Sequence, residues 1–489
     1  GDVTMNDADN DEGQEHGGGG GVTPEPESEE DDDDGDNGNG NDNDEDESDE
    51  ETDDGEEDDD DGDGGSYLDL RRDRYASPAG GAHGGHPGVG SFNEAYGDTT
   101  AAQARAGRDV QGIPWDRLQF TREGYRDKRV AEYKNYANLD FSVSELDGVC
   151  LPLAQCPAAA PYFEFAHNTR AVRSNFVHFQ LRNLVWATSK HDAYVMSENR
   201  VVHWNASTRR ATTVLDLDGG ASGSGGVIAG DFPRIQVSTT CVRDGVLAAG
   251  GFAGELVVLD LRSGAARSMR ITQDDNGITN AIEFFATRSG AEVLVSSNND
   301  MMTRFFDLET MRCLARHRYP WAVNYATASA DGRHMVVVGD SKEGWLVDTA
   351  SGRRMAKVGG HLDFSFAAAW HPDGCMFATG NQDTTTRLWD VRHLGQSLCV
   401  LRGRMGAIRS LRFSADGRFL AAAEPADFVH VYDVAQGFQE VQTLDHFGET
   451  AGIGFSPDGE ALFVGVADLT YGSVMEYSRR RQGHAAVLI

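Results

Sequence analysis

The sequence predicts an all-β fold, a seven-bladed β-propeller, preceded by a disordered acidic arm and a short helical segment. Three observations predict it. From residue 162 onward, short β-prone runs alternate with Gly and Asp turns, and long helical patterns vanish. Asp-Gly pairs recur at Asp331, Asp373, Asp416 and Asp458, with spacings of 42, 43 and 42 residues. A strand-ending Asp keeps step at Asp348, Asp390 and Asp433, spaced 42 and 43. A period of about 40–45 residues with four short strands per unit is the signature of propeller blades.

The elements follow in chain order. The formal charge of −36 is unevenly spread: residues 1–63 hold 32 Asp or Glu and no Lys or Arg, which leaves −4 for the rest. Residues 1–65 have too few apolar side chains to offset the entropy of ordering and are expected to form a disordered acidic arm. Residues 66–97, rich in Gly, Ala and Ser, are expected to be a flexible linker despite His83 and His86. Residues 98–160 form an N-terminal extension, with a helix near 121–135 capped by Thr121. That helix places Tyr125, Tyr133 and Tyr136 near one face, beside Arg122, Arg126 and Lys134. Packing of the tyrosines against the main domain is the favoured reading, over contact with nucleic acid. The propeller is expected over 161–478 and a short tail over 479–489.

The strand-like runs group into blades. Blade one runs through 176–181, 184–189, 193–197 and 200–204, and blade two through 234–240, 245–251, 255–260 and 268–272. Blade three takes 277–285, 292–297, 303–307 and 312–317. Blade four spans 321–358, blade five 361–401 and blade six 404–444. Blade seven has only three strands after Thr450, so its fourth is expected from the alternating run at 162–168. Closing the ring with strands from both ends removes exposed sheet edges.

The stretch "GGHLDFSFAAAWHPDGCMFATGNQDTTTRLWD" (359–390) resembles a WD40 repeat almost throughout. Together with "DTTAAQARAGRDVQGIPW" (98–115) and the region to residue 478, the chain resembles a group of plant and fungal WD-repeat proteins, most of them uncharacterised. The resemblance implies a buried set of His, Asp, Ser/Thr and Trp in a blade, which falls on His361, Thr379, Asp383 and Trp389. It also implies a His446/Asp468 pair in blade seven, spaced like His361/Asp383, and an ion pair of Arg404 with Asp427 in blade six. In blade four Tyr319 stands at the His position. A repeated, buried set of this kind specifies packing and is not a catalytic triad.

Other chemistry finds no support. There is no GxxxxGK[ST], HExxH or GxSxG motif, and the glycines of 219–226 do not precede a helix. No catalytic residue, cofactor or metal site is expected. Six scattered cysteines without a CxxC pair read as reduced thiols. No apolar run approaches the length of a membrane span, and the acidic start is unlike a signal peptide. The expectation is a cytoplasmic or nuclear protein that is not secreted.

The function this implies is a non-enzymatic scaffold that presents propeller loops to protein partners. Lys190, Phe252, Trp321, Lys342, Phe364, Arg404 and Phe447 are the candidate partner-binding residues. A second reading rests on residues 377–392, "FATGNQDTTTRLWDVR". They fit the pattern of WD40 proteins that dock the adaptor of a cullin-based ubiquitin ligase. That resemblance puts Arg392 at the adaptor contact, where a guanidinium fork suits the task. A third reading makes the acidic arm an escort of histones or other basic proteins. Ser28 and Ser48, each followed by acidic residues, are candidate phosphosites for an acidophilic kinase.

Overall fold

The computed structural model describes residues 97–480, apart from 136–141, 219–226, 229–231 and 233. All belong to one compact unit, Tyr75–Ile489. The acidic arm, the linker up to residue 96, the tail beyond 480, the glycines of 219–226, Ser28, Ser48 and Tyr136 lie outside the described residues.

Short antiparallel strands dominate, hydrogen-bonded into six sheets. Four of these are four-stranded meanders in sequence order: 237–270, 279–318, 323–358 and 365–402. A fifth holds Val185–Ala187, Asp192–Ser197, Arg200–Asn205 and Arg210–Asp216, with Val227–Ile228 added in parallel. The sixth has nine strands, because the long strand Glu440–Phe455 is shared. Its first half pairs with Ala426–Asp433 and its second half with Ala461–Ala467. Divided at Gly448 (φ +121), this sheet supplies the sixth and seventh units.

The buried apolar side chains report the same count independently. They fall into seven clusters, each centred on the seam between two successive units. Trp389 and Phe377 of unit five, for example, pack on Tyr325, Val336 and Leu346 of unit four. The cluster of Val185, Val195, Trp204, Phe463 and Val474 joins the first unit to the last and closes the ring. A sheet apolar on both faces must bury both, and a ring of sheets does this without a free face.

The closing strand comes from the front of the chain. Phe163–Thr169 pairs antiparallel with Ser473–Arg479, the third strand of unit seven. Arg480 N also donates to Tyr162 O at 2.8 Å.

The repeated Ser-x-Asp-Gly turns share one local device. Ser329, Ser414 and Ser456 each donate a hydroxyl to the Asp two residues on. Each serine oxygen accepts the amide five residues on, and each aspartate accepts the amide two residues on. Gly332, Gly417 and Gly459 hold φ of +67 to +71, where a Cβ is strained.

One strand assignment changes. Residues 176–181 are not a strand, and unit one begins at Val185–Ala187 and ends with Arg210–Asp216. The run bends because Arg182 folds back: its guanidinium lies 3.5 Å over the Phe176 ring and donates to His178 O at 2.9 Å. Apolar alternation alone does not register that local closure.

Among the described residues the N-terminal extension carries three α-helices: α1 (Ala101–Arg105), α2 (Arg122–Glu132) and α3 (Val143–Val149). Thr121 caps α2 by accepting Gly124 N at 3.1 Å. The extension also covers sheet edges. Thr99–Thr100 pairs with the closing strand, Ala154–Gln155 adds in parallel to Glu440–Phe455, and Leu151 N donates to Val400 O. Among the described residues no helix is long and apolar enough to cross a membrane.

Candidate functional site

In unit five a threonine, a histidine, an aspartate and a tryptophan meet below the loop end of the sheet. His361 Nδ1 lies 2.9 Å from Asp383 Oδ2, and His361 Nε2 lies 2.8 Å from Thr379 Oγ1. Trp389 Nε1 donates to the same Thr379 Oγ1 at 2.8 Å. Thr385 Oγ1 and Leu362 N donate to the Asp383 carboxylate at 2.6 and 3.0 Å. All five side chains that meet here are buried. Burial pushes Asp383 up, but the His361 charge and the donors around it prevail and hold it at about 2. Every strong donor and acceptor is used internally, so the set holds the blade and offers nothing to a substrate.

Unit six is built differently from the expectation. Arg404 does not pair with Asp427. Its side chain is exposed and lies 4.8 Å over the Phe428 ring, while its amide donates to Glu424 at 2.5 Å. Asp427 is instead paired by two arginines of α2. Arg126 Nη1 and Arg129 Nε each lie 2.5 Å from Asp427 Oδ2, and Arg129 Nη2 reaches Oδ1 at 2.9 Å. Arg126 and Arg122 also bind Asp445, at 2.7 and 2.6 Å. The sequence alone did not single out Arg129. The spacing 122, 126, 129 puts all three arginines on one helical face, a signal present in the chain but silent about its target.

Unit seven lacks the expected His446/Asp468 pair. His446 is buried, with Nε2 3.3 Å from Thr450 Oγ1. Asp468 is exposed and accepts the amides of Thr470 and Tyr471 at 2.8 and 2.6 Å. A carboxylate three residues from "YG" satisfies its own turn at lower cost than entering an apolar interior. Burial holds His446 down at about 4, outweighing the carboxylates of Asp427 and Asp445.

In a meander of four strands, the links between units and each second turn share one end of the ring. The candidate partner-binding residues at this end divide into two groups. Phe447 is buried, packed with tilted rings at 5.0 Å from Trp115 and 5.4 Å from Tyr125, and under the Arg126 guanidinium at 4.0 Å. Gln111 clasps its backbone at both N and O. Trp321 is also buried, packed on Tyr319 and Trp345. Neither is a free anchor. Phe447 becomes core because a segment more than 300 residues earlier lies over it. Trp321 does so because it fills the seam between units three and four, in one cluster with Phe305 and Tyr319.

The remaining residues keep solvent contact. Lys342 is exposed, Phe364 is 37% exposed, and Phe252 is half-buried against His178 at 5.6 Å, whereas Lys190, though exposed, lies at the opposite end of the ring, in the first turn of unit one between Val185–Ala187 and Asp192–Ser197. Phe179 (50% exposed) and Met301 (37%) lie at the loop end and are not among the residues the sequence singled out. Asn135 pins the extension to unit five through Gln382 and the Ala407 amide, at 2.9 and 3.0 Å. The extension thus lies over the loops of units five to seven. Arg392 lies at the opposite end of unit five, its side chain 70% exposed and forked onto Asp390 at 2.6 and 2.9 Å.

The inner strands brace the ring with charge. Arg412 of unit six reaches Tyr325 Oη of unit four at 3.1 Å and Asn183 Oδ1 at 3.1 Å. Tyr325 Oη in turn donates to Glu283 of unit three at 2.6 Å. Burial pushes Glu283 up against the pull of these partners. Nearer the loop end, Arg409 lies 3.8 Å over Phe366 and donates to Gln382 at 2.6 Å. Burial, with Arg182 nearby, lowers its pKa to about 9.

Comparison with known proteins follows the same outline. Residues 352–390 match the family model "WD domain, G-beta repeat", a span that runs from the outer strand of unit four through the third strand of unit five. The chain is 27% identical over 317 residues to an uncharacterised protein of Schizosaccharomyces pombe, covering 60% of this chain and 86% of that one. It is 24% identical over 380 residues to a guanine nucleotide-binding protein subunit beta of Zea mays, covering 72% and 90%. Among solved structures it is similar to a chain in the crystal structure of the mitotic checkpoint complex. The TM-score there is 0.53 at 15% identity, over 71% of this chain and all of the other, a likeness of fold alone.

Proposed function

We propose that this chain, a WD40-repeat β-propeller, is a non-enzymatic scaffold whose partner engages the loop end of units one to five. WD40-repeat proteins act as protein-interaction scaffolds. The observation that carries the finer reading is the division of that end. The extension occupies units five to seven through Arg126, Arg129, Gln111 and Asn135, while Phe179, Met301, Lys342 and Phe364 stay accessible around the rest. Rigid aromatic and apolar anchors on a stiff ring favour a docked protein over a small substrate. Affinity purification with wild type and with Phe179→Ala/Met301→Ala/Phe364→Ala tests this. Loss of the main partners from the variant is expected. The same partners at the same yield would sink it.

A ubiquitin-ligase receptor role is the second reading, favoured by the exposure of Arg392 two residues after Trp389-Asp390. Here Arg392→Ala removes adaptor co-purification without changing the melting temperature. If the wild-type chain recovers no adaptor, this reading fails and the first is untouched.

A further inference from the structure

The outer edges of the units are treated unequally. The chain itself lies along the edges of units one, five, six and seven. The outermost strands of units two, three and four, Ala266–Arg270, Cys313–Arg318 and Arg354–Val358, meet no further strand among the described residues. These three strands carry Arg267, Arg270, Arg316, Arg318, Arg354 and Lys357 and no Asp or Glu. The covered edges of units one, six and seven instead contain Glu164, Asp216, Glu440 and Asp445, while that of unit five, Cys399–Arg402, carries Arg402 and no acid.

We propose that the open edge of unit three, Cys313–Arg318, takes an acidic, extended segment of a partner protein as an added strand. The edge strand has a regular alternation, with Leu314, Arg316 and Arg318 exposed and Cys313, Ala315 and His317 half-buried. Its outward N–H and C=O groups supply the main-chain pairing that strand addition uses. Carboxylates on alternate residues of the guest then face Arg316 and Arg318, each able to form a forked bond. An apolar residue of the guest covers Leu314, which is 59% exposed. Arg354, Met355 and Lys357 continue the same chemistry on unit four, with Met355 48% exposed.

Edge protection and nucleic-acid binding fit these strands less well. Charged residues on an edge also guard against aggregation, but a guard has no use for an exposed Leu314 between Arg312 and Arg316. Nucleic acid needs rings on which bases stack, and these strands hold no Phe, Tyr or Trp.

The test uses the full chain and a short fluorescent peptide that carries one Val and then two Asp on alternate residues, separated by Thr, together with a photo-crosslinker. The same peptide with Lys in place of Asp and an oligouridine serve as comparisons. Anisotropy should show binding of the acidic peptide and of neither comparison. Arg316→Glu/Arg318→Glu should weaken it about tenfold, the scale of two reversed exposed charges. On the wild type, crosslinks should map to 313–318, a readout that does not depend on the variant folding. Equal binding by variant and wild type, crosslinks elsewhere, or preference for oligouridine overturns the proposal. A variant that self-associates with unchanged peptide affinity overturns it too, and makes the arginines an edge guard.

Discussion

Arg126 Nη1 lies 2.5 Å from Asp427 Oδ2 in the interior, although 301 residues separate the two in the chain. The pair joins a helix of the extension to a turn of unit six. Asp427 itself holds φ +72, a conformation that a non-glycine residue keeps only when its surroundings demand it. The two arginines of α2 that grip its carboxylate are that demand.

Removing Arg126 leaves Asp427 with Arg129 and the Gly448 amide, frees His446 O, and leaves α2 held to Asp445 through Arg122. Arg126→Ala should destabilise the chain by about 3 kcal/mol, at the low end for a broken buried pair because Arg129 remains. Limited proteolysis should then cut between α1 and α2 while the ring stays intact. Urea unfolding and peptide mapping check both.

Thr379→Val keeps the shape of the unit-five network but removes the oxygen shared by His361 and Trp389. Trp389 Nε1 and His361 Nε2 each lose a buried partner, so a loss of about 2–3 kcal/mol is expected. Thr379→Ser should recover most of it in the same urea series, because the hydroxyl returns.

Acid should weaken the fold in a defined window. Burial holds His446, His167 and His178 at about 4, below the ordinary value of 6.5. A histidine depressed on folding is neutral in the folded state and protonates first in the unfolded one. Its contribution is whole above pH 6.5 and is lost as pH falls through 4. The loss reaches on the order of 3 kcal/mol at about pH 4 for fully buried His446. Melting temperature measured from neutral pH down to about pH 4 should fall, and His446→Gln should flatten the slope. An unchanged slope would count against a neutral, buried His446.

Arg412→Ala strips the cation from buried Glu283 and Tyr325. About 3 kcal/mol should be lost, and adding Glu283→Gln should restore part of it, because the stranded acid is then gone. A double-mutant cycle in urea reads the coupling.

Deleting the chain through Thr169 removes the closing strand and bares the edge of Ser473–Arg479. The shortened chain should form oligomers in size-exclusion chromatography at concentrations where the full chain does not. A monomer of unchanged melting temperature would mean that the seventh unit holds without its fourth strand.

Much of this fold is visible in one dimension. The Asp-Gly spacing marks turns whose chemistry is local: a serine, an aspartate and a left-handed glycine within a few residues close each one. The unit-five network is also spaced within one blade, His361 to Trp389, so a single repeat contains all its partners. The need for a closing strand was legible from a count, since the last unit lacked one and 162–168 alternated correctly.

What only the tertiary structure decided is which distant groups meet. Asp427 looked available to Arg404, its neighbour in the repeat, yet Arg126 and Arg129 hold it. Phe447 and Trp321 have the residue types of surface anchors yet are buried, while Phe179 and Met301 are exposed. Periodicity reports contacts that recur at a fixed separation, because backbone hydrogen bonding and the pleat repeat them in every blade. An extension laid once across three blades leaves no period. Its energy comes from desolvated charge and aromatic packing between segments hundreds of residues apart, and those depend on the completed ring to bring their partners within reach.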